Sequence, residues 1–122
     1  MTIAQIIRNG KGQAHAWVVT IDPTIGITSH KLWHYGTLML EWVDGTEDTK
    51  AYQYCAILTP ELTFGGDDNP KVILDWSLGK GSASDQNGMN VAFKILGIPW
   101  RYDRFGGAPR IVNYLTNTVI AR

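Results

Sequence analysis

The chain has 122 residues, 44 % of them hydrophobic and 18 % charged, with five Trp, five Tyr and three Phe; this excludes a disordered tail and allows one domain, residues 1–122, to bury roughly two thirds of its unfolded surface. Its single cysteine, Cys55, excludes an intramolecular disulfide and points to the cytoplasm, and the sequence has neither a signal-peptide layout nor an apolar run near the ~18 residues of a membrane span, so no membrane partner is expected. The net charge is zero, but residues 41–75 carry eight acids against two lysines and residues 94–122 carry five bases against one acid, an asymmetry that charged loops produce as readily as a binding face does.

Residues 3–8 fit either a short helix or an edge strand. Residues 14–21 are rich in β-branched and aromatic side chains and stop at Asp22-Pro23, the pattern of a strand followed by a turn. Residues 32–43 read as one longer strand ending at Asp44-Gly45. Period-two alternation puts Leu32, Leu38, Leu40 and Trp42 on one face, Trp33, Tyr35 and Met39 make the other face apolar, and Gly36 suggests a bulge or a close backbone approach. Residues 44–48 would join this strand to a partner over 50–58 in an antiparallel hairpin. Leu62-Thr63-Phe64 extends that partner or begins another strand, and residues 71–76 read as a further one.

Residues 79–99 contain a complete helix signature. Ser82 followed three residues later by Asp85 reads as a capping box, with Ser84 as the alternative cap. Met89, Ala92, Phe93 and Leu96 fall at i, i+3, i+4 and i+7, on one face. Gly97 can adopt the left-handed conformation that ends a helix, and Pro99 prevents continuation. Residues 100–104 and 110–115 then flank Phe105-Gly106-Gly107-Ala108-Pro109 as a last hairpin, and the β-branched tail 116–122 can pair onward. Strands outnumber helices, so the expected fold is α+β, a mostly antiparallel sheet packed against one or two helices.

Chemistry-bearing residues are sparse. His30 and His34 form a His-x-x-x-His pair, but on a strand the two would stand ~13 Å apart, too far to share an ion; no metal or cofactor is expected. Cys55 reads as a small buried hydrophobe. The acidic segments 44–48 and 67–69 lack the alternate-position spacing of a calcium loop and match what turns select. Lys80, Gly81 and Ser82 at the helix start could attract an anion through free N–H groups and the helix dipole, although the phosphate-loop spacing is absent and Asp85 would repel an anion. No Gly-x-Ser-x-Gly elbow is present, which leaves a serine hydrolase without a foothold.

The strongest binding signal is near the carboxyl end. Trp100, Arg101, Tyr102, Arg104, Phe105, Arg110 and Tyr114 interleave rings with guanidinium groups, as surfaces that bind proteins or stack bases do. The reading in front is therefore a non-enzymatic accessory protein that binds another macromolecule, a protein or a second copy of itself, through this aromatic and arginine surface. The alternatives are a nucleic-acid-binding accessory factor using Arg101, Arg104 and Arg110, and an enzyme or ligand-binding domain whose pocket brings histidines and acids together.

The layout His34-Tyr35-Gly36-Thr37, then Trp76-Ser77, then Ser84-Asp85-Gln86-Asn87-Gly88-Met89-Asn90 opening a helix resembles small uncharacterised proteins encoded by bacteriophages and other mobile elements. The resemblance covers the central half of the chain. It implies an accessory protein acting inside a bacterial host, and no catalytic residue carries over from it.

Overall fold

Short hairpins build both sheets. The computed structural model describes residues 1–24, 27–44, 63–64 and 71–122. Strands β1 (Gly12–Ala14), β2 (Trp17–Thr24), β3 (Ile27–His34), β4 (Thr37–Asp44), β5 (Thr63–Phe64) and β6 (Lys71–Trp76) form an antiparallel sheet in the order β1-β2-β3-β4-β6-β5, while β7 (Trp100–Phe105), β8 (Ala108–Asn113) and β9 (Thr118–Ala121) form a second antiparallel sheet. Helices α1 (Ile3–Asn9) and α2 (Ala83–Leu96) complete an α+β fold. No described helix is long and apolar enough to cross a membrane. The expected hairpin across residues 44–58, Cys55 and the acidic segment 67–69 lie outside the described residues.

Two expected strands are each divided by a tight turn. Residues 14–21 are split at His15-Ala16, where Ala14 pairs with Trp17 and His15 takes φ 56°. Residues 32–43 are split at Tyr35-Gly36, where His34 pairs with Thr37 and both central residues have positive φ, 49° and 78°. Positive φ at both positions is the signature of a type I′ hairpin, whose twist matches that of the strands it joins. Gly36 is therefore a turn glycine, and beyond its chain neighbours no atom of the described residues lies within 4 Å of where its Cβ would stand. The bulge expected near it lies instead between Leu32 and Trp33. A third difference concerns Asp22-Pro23, which does not end β2: Pro23 pairs with Thr28. Its missing N–H is tolerated because β1 reaches only as far as the Gly12–Val19 pair, leaving that side of β2 an edge among the described residues.

Residues 3–8 resolve as a helix because both ends are capped. Thr2 and Gln5 form a capping box, and Gly10 closes the other end in the left-handed conformation. Helix α2 matches its sequence signature. Ser82 is the N-cap, its Oγ accepting from the Asp85 N–H at 3.0 Å, and Gly97 is the left-handed C-cap. Met89, Ala92, Phe93 and Leu96 are all buried on one face.

The core lies between the larger sheet, the two helices and the second sheet. It takes Trp17, Val19, Leu32, Leu40 and Trp42 from the larger sheet, Ile6 and Ile7 from α1, and Tyr102 and Ile111 from the second sheet. Trp100 stands edge-on to Trp76 and to Phe93, at 5.4 and 5.9 Å between ring centroids, and so joins both sheets to α2. Met39, on the opposite face of β4 from Leu40, is also fully buried. The turn after β6 covers it: the Ser77 N–H donates to the Met39 carbonyl at 3.0 Å, and a Cβ on Gly79 would stand 2.8 Å from Met39 Sδ.

Candidate functional site

His30 and His34 share the core-facing side of β3, and each meets the end of a different helix. His30 Nδ1 lies 2.7 Å from the carbonyl oxygen of Gly10, the C-cap of α1. His34 reaches the first turn of α2: its Nδ1 lies 2.5 Å from Asp85 Oδ1 and its Nε2 lies 3.2 Å from Ser84 Oγ. The pair therefore does not converge on a metal. Among the described residues no group of three His, Cys, Asp or Glu side chains could hold one.

A carboxylate can only accept hydrogen bonds, so in the neutral form of the His34 ring the proton sits on Nδ1 and the Nε2 lone pair faces Ser84 Oγ. Serine, imidazole and carboxylate stand in line, the order used by acyl-transfer triads. The local chain explains why. Asp85 sits at the third position of α2, where the capping box turns its carboxylate back toward the loop, and Ser84 precedes it on the exposed rim. Asp85 Oδ2 accepts from the backbone N–H groups of Lys80 at 3.0 Å and Ser82 at 3.1 Å, while Oδ1 is left for His34. Burial works to raise the Asp85 pKa, but the hydrogen bonds from His34, Ser82 and Lys80 outweigh it and hold the carboxyl below the ordinary carboxylate value.

The imidazole is fixed on its flat side as well. Trp17 stacks on it with ring centroids 3.9 Å apart and planes 7° from parallel. The indole in turn lies over Gly88 of α2, where a Cβ would come within 2.0 Å of Trp17 Cζ2. His34 and Asp85 are both nearly sealed from solvent, whereas Ser84 is exposed. A cleft of about 200 Å³ opens beside them, lined by His34, Tyr35, Thr37, Gly79, Lys80, Ser82 and Asp85. Ser84 stands next to this lining rather than within it. A wider hollow of about 370 Å³, between the end of α2 and the second sheet, has neither a histidine nor an acid in its lining.

Two of the residues singled out from sequence, Trp100 and Tyr102, are placed differently from expectation. Trp100 and Tyr102 are buried, at 3 % and 0 % exposure, because their side of β7 closes the core. The outward-facing ring surface therefore loses these two members. Burial raises the Tyr102 pKa, the negative charge of Asp85 adds to this, and the phenol donates to the Leu78 carbonyl at 2.6 Å. Arg101 and Arg104 are exposed, while Arg110 Nη2 donates to Asp103 Oδ2 at 3.2 Å. Phe105 ends β7, and its side chain is outside the description. Tyr114 is half exposed in the turn between β8 and β9. The anion cradle weighed against a capped helix entry at Lys80, Gly81 and Ser82 is occupied from within, since two of its N–H donors already bond the Asp85 carboxylate.

Comparison with protein-family models, curated proteins and solved structures finds no match.

Proposed function

We propose that this protein is a small serine-dependent hydrolase acting on an ester, with Ser84 as nucleophile, His34 as general base and Asp85 as the group that orients the imidazole. The observation that carries this reading is the chain of two contacts, Ser84 Oγ to His34 Nε2 at 3.2 Å and His34 Nδ1 to Asp85 Oδ1 at 2.5 Å. In the first step Ser84 Oγ bonds to the ester carbonyl carbon while its proton passes to His34 Nε2. The carbon–oxygen bond to the alcohol then breaks and His34 returns the proton to that alcohol. Water, deprotonated by His34, releases the acid and restores Ser84.

Two further features support the reading. The Asp85 carboxylate has the environment an orienting acid needs: it is buried, ionised and bonded on both oxygens. The first turn of α2 also offers donors for a developing oxyanion. The Asp85 N–H is taken by Ser82 Oγ and the Gln86 N–H by the Ser82 carbonyl, but the N–H groups of Ala83 and Ser84 have no partner among the described residues, at the positive end of the helix dipole.

The test is hydrolysis of an activated ester such as 4-nitrophenyl acetate. Ser84→Ala and His34→Gln should each lower kcat/KM by about 100-fold or more, with Ser84→Ala leaving the fold intact. A parent protein no faster than the Ser84→Ala variant would leave the three residues as structural partners alone.

A further inference from the structure

The residue at the mouth of the cleft is unusual for its backbone. Tyr35 holds φ 49° at the first central position of a two-residue turn, where asparagine, aspartate and glycine are strongly favoured and a bulky side chain is strained. Its ring is 75 % exposed, and its hydroxyl has no hydrogen-bond partner among the described residues. A Cβ on the neighbouring Gly36 would meet no atom within 4 Å among the described residues beyond its chain neighbours. Among the described residues the only ring contact it makes is with His34. What the ring does is stand against His34, with centroids 4.6 Å apart and planes tilted by 42°, and line the cleft that reaches Asp85.

Backbone strain retained by an exposed side chain beside a reactive group is a mark of a functional position. We infer that Tyr35 is the specificity-determining wall of the cleft and that the cleft takes the flat, uncharged aromatic portion of an aryl ester. This rests on the hydrolase reading for its chemistry, but not for its binding. The size fits: about 200 Å³ is enough for one ring, since a cavity of ~150 Å³ holds benzene. The charge fits as well. Asp85 is already satisfied on both oxygens, and the one cation of the lining, Lys80, is exposed, so the interior has no unpaired charge to recruit an ionic group. A planar ring can lie on the Tyr35 face in the offset or edge-on geometries that aromatic pairs prefer.

The decisive variant is Tyr35→Asn, which gives the turn the Asn-Gly pair that type I′ geometry selects. It should melt no lower than the parent. In the Ser84→Ala background, which binds without turning over, NMR titration with phenyl acetate should show a dissociation constant raised about fivefold by Tyr35→Asn, the scale of one aromatic contact. In the active protein KM for phenyl acetate should rise by about the same factor, with kcat nearly constant. A lowered melting temperature would make the ring a structural support for His34, and an unchanged dissociation constant would remove it from the cleft; either overturns the inference. Binding that depends on Tyr35 in a protein that hydrolyses no ester would retire the hydrolase reading and leave the cleft assignment standing.

Discussion

Asp85 holds the site together. One carboxylate closes the capping box of α2, gathers the N–H groups of Lys80 and Ser82, and fixes His34. Its pKa is lowered in the folded protein, so its contribution is complete above the ordinary carboxyl value of 3.8 and is lost as pH falls through the folded value. Asp85→Asn should therefore cost about 1–3 kcal/mol at neutral pH, as hydrogen bonds to a charged group do, and thermal melts carried from neutral pH to well below 3.8 should show the parent converging on the variant in acid. Parallel curves would mean that the carboxylate contributes nothing as an anion. Gly88 makes a second residue-scale prediction. Alanine is the better helix former by ~1 kcal/mol, yet Gly88→Ala should still destabilise by a net ~1–3 kcal/mol, because the Trp17 indole that its Cβ would strike is stacked on His34. Chemical denaturation gives the size, and a shifted His34 ring resonance would identify the cause.

At the scale of elements, legibility followed locality. The start, face and stop of α2 are written in adjacent residues, and the structure has Ser82, Asp85 and Gly97 in those roles. Ser82→Ala should cost about 1 kcal/mol, as loss of an N-cap does, while the exposed Ser84→Ala should change stability by no more than ~0.5 kcal/mol; equal losses in urea melts would misplace the helix start. The hairpin turns were less legible because their residues are poor punctuation. His15-Ala16 contains neither glycine nor proline, and Tyr35 occupies a position that asparagine normally takes. Apolar alternation runs straight through both turns, so each hairpin reads as one strand. Pro23 misled in the other direction: it is a turn signal in sequence and an edge position in the sheet.

At the scale of the whole molecule, the site was illegible because its parts are distant in sequence. Ser84 and Asp85 are adjacent, but His34 comes from β3, some fifty residues earlier. Without the strained elbow of the common hydrolase motif, nothing local marks the serine. The same distance misled the reading of the carboxyl-terminal rings. Trp100 and Tyr102 alternate with polar residues as a half-buried strand does, and only the assembled fold decides which face is covered. Asn90 completes that closure: its Oδ1 accepts from the Tyr102 N–H at 2.8 Å and its Nδ2 donates to the Tyr102 carbonyl at 3.0 Å, which blocks the free edge of β7. The exposed arginines should then be dispensable to the chemistry, and a double Arg101→Ala, Arg104→Ala variant should keep its ester hydrolysis within about twofold and its stability within ~0.5 kcal/mol. The most direct measurement is covalent capture by a small fluorophosphonate, followed by intact mass and peptide mapping. The account predicts one phosphonyl group per chain, on Ser84, lost in His34→Gln; an unmodified protein, or a label spread over other hydroxyls, would contradict it.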